Sequence, residues 1–173
     1  MSIDVRGLLS GKKSALLERW FDIVLETYPP DSSGFLKNKK RQFANPVGYT
    51  ISQGLERLLD ELLQEREMDA EKVSSVLEGI LRIRAVQDVA PSRALAFIFR
   101  LKNVLREELG SVATAPSEEI DALESRLDAI ALISFDLFMK CREKIYDLKA
   151  NELRNMTFRL LQKAKLVCEI PGE

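Results

Sequence analysis

Few side chains in this chain have the type and spacing of a catalytic site. Ser10 and Lys13 stand three positions apart, as in one class of serine hydrolases, but the sequence contains neither the S-D-N nor the K-T-G element of that class. The segment 7–12 is similar to a phosphate-binding loop, yet its glycines are one residue too close, and Lys12 is followed by another lysine. We therefore predict no catalytic residues and a protein that is not an enzyme.

The 173 residues include no histidine. This absence removes the commonest general base and metal ligand, and also the usual axial ligand of haem. The two cysteines, Cys141 and Cys168, are far apart in the sequence and cannot complete a tetrahedral Cys/His zinc site by themselves. We predict two reduced thiols and no metal, haem or other cofactor.

The charges of the chain nearly cancel, with 26 lysines and arginines against 27 aspartates and glutamates. Because no net basic field is present to hold a phosphate backbone, we expect no nucleic-acid partner. One basic run, 37–41, lies between Phe35 and Phe43 and could hold an anion or a single strand by charge and stacking. A solvated loop is the interpretation of this run that we favour.

Hydropathy gives no sign of a membrane segment. The most apolar stretch, 129–139, contains Asp136 and is much shorter than the ~20 residues that span a bilayer. We interpret Asp136 as part of an exposed polar face, with Lys140 one turn further on. Residues 1–9 contain no apolar region of the length that a signal peptide has, so we predict a cytoplasmic protein without membrane insertion.

Between the proline and glycine breakers, apolar residues recur three and four positions apart, which is the spacing of helices. This pattern predicts an all-α fold, a single-domain bundle of about five to six helices that covers residues 1–173. A short helical piece is expected over 4–9. The longer predicted helices cover 13–28, then a segment starting at the Asn45 cap and Pro46, then 69–89, 91–110 and 117–165.

The last of these segments contains neither glycine nor proline and would be ~70 Å long as one helix, which exceeds the diameter of a small domain. Either the helix bends or divides near 149–152, or its end projects or forms a hairpin. We favour the projecting or hairpinned end. Apolar side chains on such an end would have to be buried against another surface. We therefore predict an interface formed by Leu153, Met156 and Leu160, most simply in a homodimer.

Arg84 and Gln87 continue the apolar line of the helix predicted over 69–89. Buried polar groups need partners, since leaving them unpaired costs about 1–3 kcal/mol. A satisfied structural network is one explanation, and an exposed extension of the helix is another. The functional alternative is a small-molecule or anion pocket, with Asn45 and Trp20 as further candidates to line it.

Several segments together resemble a known family. They are Trp20, Tyr28-Pro29, Phe35, the run Phe43-Ala44-Asn45-Pro46-Val47-Gly48, the run Arg82-Ile83-Arg84-Ala85-Val86-Gln87, Pro91-Ser92, Leu101-Lys102 and Asn151-Glu152-Leu153. From about residue 15 to 160 the chain resembles the RsbRD-type N-terminal domain, the N-terminal part of co-antagonists of the RsbT kinase. The segments 45–48 and 82–87 are the most specific parts of the resemblance.

The resemblance implies an all-helical sensory or regulatory module, distantly similar to non-haem globin-like sensor domains. Its action would be by protein–protein interaction in bacterial stress or redox-linked signalling. The co-antagonists also carry a STAS domain, which we do not find in this sequence. We therefore expect a stand-alone regulatory domain.

Overall fold

A computed structural model describes residues 4–28, 33–34, 36–37, 43–87, 89–110 and 117–164. Six helices and no strand lie in these ranges, which confirms the all-α prediction. The helices are α1 Val5–Gly11, α2 Lys13–Leu25, α3 Pro46–Leu63, α4 Ala70–Val86, α5 Pro91–Leu109 and α6 Glu118–Lys163.

The helix starts follow from local sequence. The Asn45 side chain accepts a hydrogen bond from the Gly48 N–H at 2.9 Å, and Asp69 accepts from two N–H groups of the first turn of α4. Ser117 caps α6 in the same way. Each of these caps satisfies N–H groups that have no partner within the helix.

The helix ends are less well predicted. α2 ends at Leu25 rather than Tyr28, and α4 ends at Val86 rather than Val89, because Gln87 is already extended, with ψ of 142°. α5 stops where predicted, at Gly110, whose φ of 57° favours glycine. The predicted stop at 29–31 lies outside the described residues.

One core connects all six helices. α6 packs on α4 and α5, while α2 packs on α5 and α3. Trp20, Phe21, Phe97 and Phe138 are the largest apolar side chains that are fully buried. At Gly54 of α3 the helix α4 approaches closely, because a Cβ there would lie 2.6 Å from the Ile80 Cδ1 atom.

The helix α6 is continuous over 46 residues, about 69 Å at 1.5 Å per residue. Its first part buries apolar residues from Ile120 to Phe138 against the bundle. Every residue from Tyr146 to Ala164 is exposed, so the last five turns project as an arm, defined here as residues 146–163. A division near 149–152 is therefore wrong, and the projecting end is the form that the helix takes.

None of the described helices combines the length and the apolar character needed to cross a membrane.

Candidate functional site

The arm leaves the bundle at Arg142, which fixes α6 to the end of α4. Its guanidinium Nη1 donates to the carbonyl oxygens of Ala85 and Gln87, at 3.3 and 3.2 Å. The same guanidinium donates to the Tyr146 hydroxyl at 2.5 Å and lies 5.1 Å from the centre of that ring. These contacts satisfy carbonyls at a helix C-terminus with a cation, which also suits the helix dipole.

Arg126, which is nearer the start of α6, donates hydrogen bonds to carbonyl groups at the end of α3. It donates to the carbonyls of Leu62 at 3.2 Å and Gln64 at 2.6 Å, and to that of Arg66 at 2.6 Å. Burial, and secondarily the nearby charge of Arg6, lower the pKa of Arg126. Neither arginine stands out in the sequence, because no local pattern shows which distant carbonyls an arginine will contact.

An apolar line runs along α6; its members are exposed except Met139, which is half-buried and packs against the core. We call it the outer line: Leu132, Phe135, Met139, Tyr146, Leu153, Met156 and Leu160. Five of these residues stand seven positions apart, which is the repeat of a coiled-coil seam. The outer line extends from residue 132 to residue 160, about 42 Å, and the charged residues Arg142 and Lys149 interrupt it.

The three predicted interface residues lie at the far end of the outer line. Leu153, Met156 and Leu160 are 64%, 53% and 65% exposed. Leu132, which is 71% exposed, is not among the predicted interface residues, and neither is Phe135, although the sevenfold spacing leads back to Leu132. Exposed apolar residues of the outer line therefore lie on the bundle, at Leu132 and Phe135, and again along the arm, with the half-buried Met139 and Arg142 between them.

Arg84 is buried, as its position on the apolar line of α4 predicts. Its side chain is 1% exposed, donates to the Thr27 hydroxyl at 2.7 Å and to the Arg93 carbonyl at 3.4 Å, and lies 4.9 Å from the centre of the Tyr28 ring. In the described part of the chain, neither the Arg84 Nε nor the buried Tyr28 hydroxyl has a hydrogen-bond partner. Two buried donors without acceptors thus lie close together.

The other pocket candidates have different partners. Gln87 lies just after α4, half-buried, and its carbonyl accepts from Arg142. The Asn45 side chain caps α3 and donates to the Leu36 carbonyl at 2.9 Å. The Trp20 indole N–H donates to the Phe97 carbonyl at 2.9 Å. Arg84 and Gln87 share the end of α4, whereas Asn45 and Trp20 perform structural roles elsewhere, and a pocket shared by all four stays a prediction.

The possible catalytic pair at the N-terminus is used for structure. The Lys13 ammonium lies 2.7 Å from an Asp60 carboxylate oxygen and 3.6 Å from one of Glu56. The hydrogen bond that the Lys13 ammonium donates to Asp60 is the main cause that raises the pKa of Lys13. A lysine that stays protonated cannot activate Ser10 as a base.

The remaining candidates for chemistry are metal ligands and thiols. Across the described ranges no three cysteine, aspartate or glutamate side chains come together as a metal site. Cys141 is a free, half-buried thiol. Cys168, Phe35 and most of the basic run 37–41 lie outside the described residues.

By its fold this protein is an all-helical bundle from which one long helix projects, and that helix carries exposed apolar residues. The chain belongs to the family described as the RsbT co-antagonist protein rsbRD N-terminal domain, which it matches over residues 14–153. That family is associated with regulation of stress signalling, as the resemblance implied.

The chain is also similar to a protein of Archaeoglobus fulgidus that is described as an uncharacterized protein. The two are 24% identical over 144 residues, which is 81% of this chain and 83% of the other. No solved structure matches the chain.

Proposed function

We propose that this protein is a non-catalytic regulatory domain that acts by protein–protein interaction and that forms a homodimer through the outer line of α6. The outer line is the observation that carries the proposal. An exposed apolar seam of this length is rare on a protein that works alone, because contiguous apolar surface usually marks an interaction site. Family membership supports a regulatory role.

The sevenfold spacing favours a second copy of α6 as the cover. Two helices with apolar residues every seven positions can pack side by side over the whole length of the seam. Arg142 is held by the end of α4 and by Tyr146, so that its charge is already partnered within one chain. Neither Arg142 nor Lys149 forms an ion pair in the described ranges, and Lys149 would have to extend its ammonium group from the contact to solvent.

The test is the solution mass of the purified chain by light scattering over a wide concentration range. We expect a dimer. Replacing Leu153 and Met156 together by glutamate puts four negative charges into the seam of a dimer, so this variant should be a monomer with unchanged helix content in circular dichroism.

Phe158→Glu is the matched control. Phe158 is also an exposed apolar residue of the arm, 49% exposed, but it lies ~140° round the helix from Leu153. This variant should remain a dimer. A wild-type monomer at every concentration, or equal dissociation of both variants, would overturn the proposed dimer.

A second candidate function is a sensor for a small molecule or anion, and the two unpartnered donors beside Arg84 favour it. A ligand that offers acceptors to the Arg84 Nε and the Tyr28 hydroxyl would remove the cost of burying them unpaired. We expect a responding ligand to raise the unfolding temperature of the wild type and to have no effect on Arg84→Met. An equal shift in both proteins would place the ligand elsewhere.

A further inference from the structure

A second surface of α6 has features of a ligand site. Where α6 leaves the bundle, a groove of about 460 Å³ lies between it and α4. Its floor is apolar and includes Val86, Leu137, Ile145 and Leu148. Small-molecule sites typically have volumes of ~300–1,000 Å³ and mainly apolar linings, so the groove has a suitable size and character for such a ligand.

The edge of the groove is cationic. Lys140 and Lys144 line it on the α6 side, and neither forms an ion pair within the part of the chain that the structure describes, although Asp136 lies one turn before Lys140. Arg82 and Glu78 line the α4 side and are paired with each other at 2.5 Å, so that the Glu78 charge is matched there. Two unpaired ammonium groups therefore lie beside an apolar floor.

From these features we propose that the groove binds a small amphipathic carboxylate, with its apolar chain on the floor and its head group between Lys140 and Lys144. Burial of the chain would cover Val86 and Leu148, which are 73% and 61% exposed. The ammonium groups can follow the head group on their flexible stems, because lysine side chains extend along apolar surface and keep the charge at its edge.

The charge of the groove argues against the arm of a second copy as its occupant. The exposed arm carries four basic residues against two acidic ones: Lys149, Arg154, Arg159 and Lys163, with Asp147 and Glu152. Placing this basic segment against Lys140 and Lys144 brings like charges together, which opposes association. The groove is also short: residues 137 to 148 extend over about 16 Å, much less than a protein interface of roughly 800 Å² per partner needs.

The groove and the outer line lie on opposite flanks of α6. At ~100° per residue, Lys140, Lys144 and Leu148 face well away from Met139 and Tyr146, and the buried face of the helix lies between the two surfaces. Ligand binding in the groove is therefore independent of the dimer proposed above, and each can fail without the other.

Cys141 gives a local readout, because its half-buried thiol lines the groove. The experiment measures the alkylation rate of Cys141 by peptide mass spectrometry, with Cys168 in the same molecule as the reference. The probes are dodecanoate and dodecyltrimethylammonium, which share an alkyl chain and differ in the charge of the head group. We expect dodecanoate to slow the alkylation of Cys141 relative to Cys168, and the cationic probe to have no such effect at the same concentration.

Charge reversal tests the cationic edge. The double variant Lys140→Glu/Lys144→Glu should need about tenfold more dodecanoate for the same protection, since it replaces two favourable charge contacts by two unfavourable ones. The control Arg154→Glu/Arg159→Glu changes the net charge equally on the same helix and should leave the protection unchanged. Equal protection by both probes, no protection by either, or equal loss in both variants would overturn the proposal. Protection that follows protein concentration instead of probe would identify a second copy as the occupant and overturn it as well.

Discussion

Buried polar side chains in this chain differ in how completely they are hydrogen-bonded. Asn45, buried and placed at a helix start, uses its amide oxygen for the cap and its amide nitrogen for the Leu36 carbonyl. Arg84 is equally buried but leaves its Nε without a partner in the described ranges. A cap can be recognised from the local sequence because its partners lie two or three positions away, whereas the partners of Arg84 come from the residues just after α2 and from α5.

Replacing Arg84 by methionine should leave the free energy of unfolding within about 1 kcal/mol of the wild type, or raise it, because burying a charge costs energy that its contacts return only in part. The Thr27 hydroxyl would not be left alone, since it also donates to the Val24 carbonyl at 2.6 Å. Urea unfolding measures the change.

Arg142→Met is the control for Arg84→Met. It removes a cation from two carbonyls at the end of α4 and should destabilise by about 1–3 kcal/mol. If Arg84→Met loses more stability than Arg142→Met, then Arg84 is a structural residue and the argument for a sensor site beside it fails.

For the helices, the sequence predicted which segments are helical but not the residues at which they end. Val73, Leu77 and Ile80 stand on one line of α4, and the spacing alone places them in the core. The prediction that Gln87 continues this line is wrong, because the helix ends one residue earlier and Gln87 becomes half-exposed. When a helix ends early, the side chains after its end no longer follow the helical spacing. The spacing of apolar residues does not show where that end lies.

The close contact between α3 and α4 at Gly54 can be tested by replacing the glycine with alanine. Alanine at Gly54 would place a Cβ 2.6 Å from Cδ1 and 2.9 Å from Cγ1 of the fully buried Ile80. This overpacking should cost about 1–3 kcal/mol, more than the ~1 kcal/mol that alanine gains over glycine in a helix. Thermal and urea unfolding would measure the loss.

Gly79→Ala is the opposite case on the facing helix. A Cβ there meets only the Thr50 Cγ2 at 3.7 Å, an ordinary contact, so the variant should be more stable than the wild type by up to ~1 kcal/mol. Stabilisation by both alanines would mean that Ile80 moves aside without cost and that α3 and α4 do not pack as tightly as described.

Across the whole molecule, ion pairs connect helices that are distant in sequence. Glu108 near the end of α5 accepts from Arg19 of α2 at 2.8 Å and pairs with Lys12 at 3.3 Å. These two contacts, with Arg19 the larger, lower the pKa of Glu108 below its ordinary value of 4.5. The N–H of Lys72 is the main cause that lowers the pKa of Asp69.

These shifts predict a loss of stability in acid. A carboxyl whose pKa is lower in the folded state binds fewer protons there than in the unfolded state, so its contribution is present above the unfolded pKa and is lost as the pH falls through the folded one. We expect the urea midpoint to fall below about pH 4.5. Glu108→Gln should make this pH dependence shallower, and 1 M salt should weaken it in the wild type, because these pairs are only partly buried. An identical pH profile for Glu108→Gln would show that the contacts with Arg19 and Lys12 contribute nothing measurable.

The continuity of α6 through Arg142 makes the arm a mechanical lever. From Arg142 to the end of the helix is about 31 Å, so a tilt of roughly 10° at the end of α4 moves the tip by ~5 Å. The reverse also holds: a partner that repositions the tip exerts torque on the carbonyls of Ala85 and Gln87, and through them on the segment that leads from α4 to α5. Force applied outside the bundle is thereby delivered next to Arg84, whose buried Nε has no hydrogen-bond partner in the described ranges.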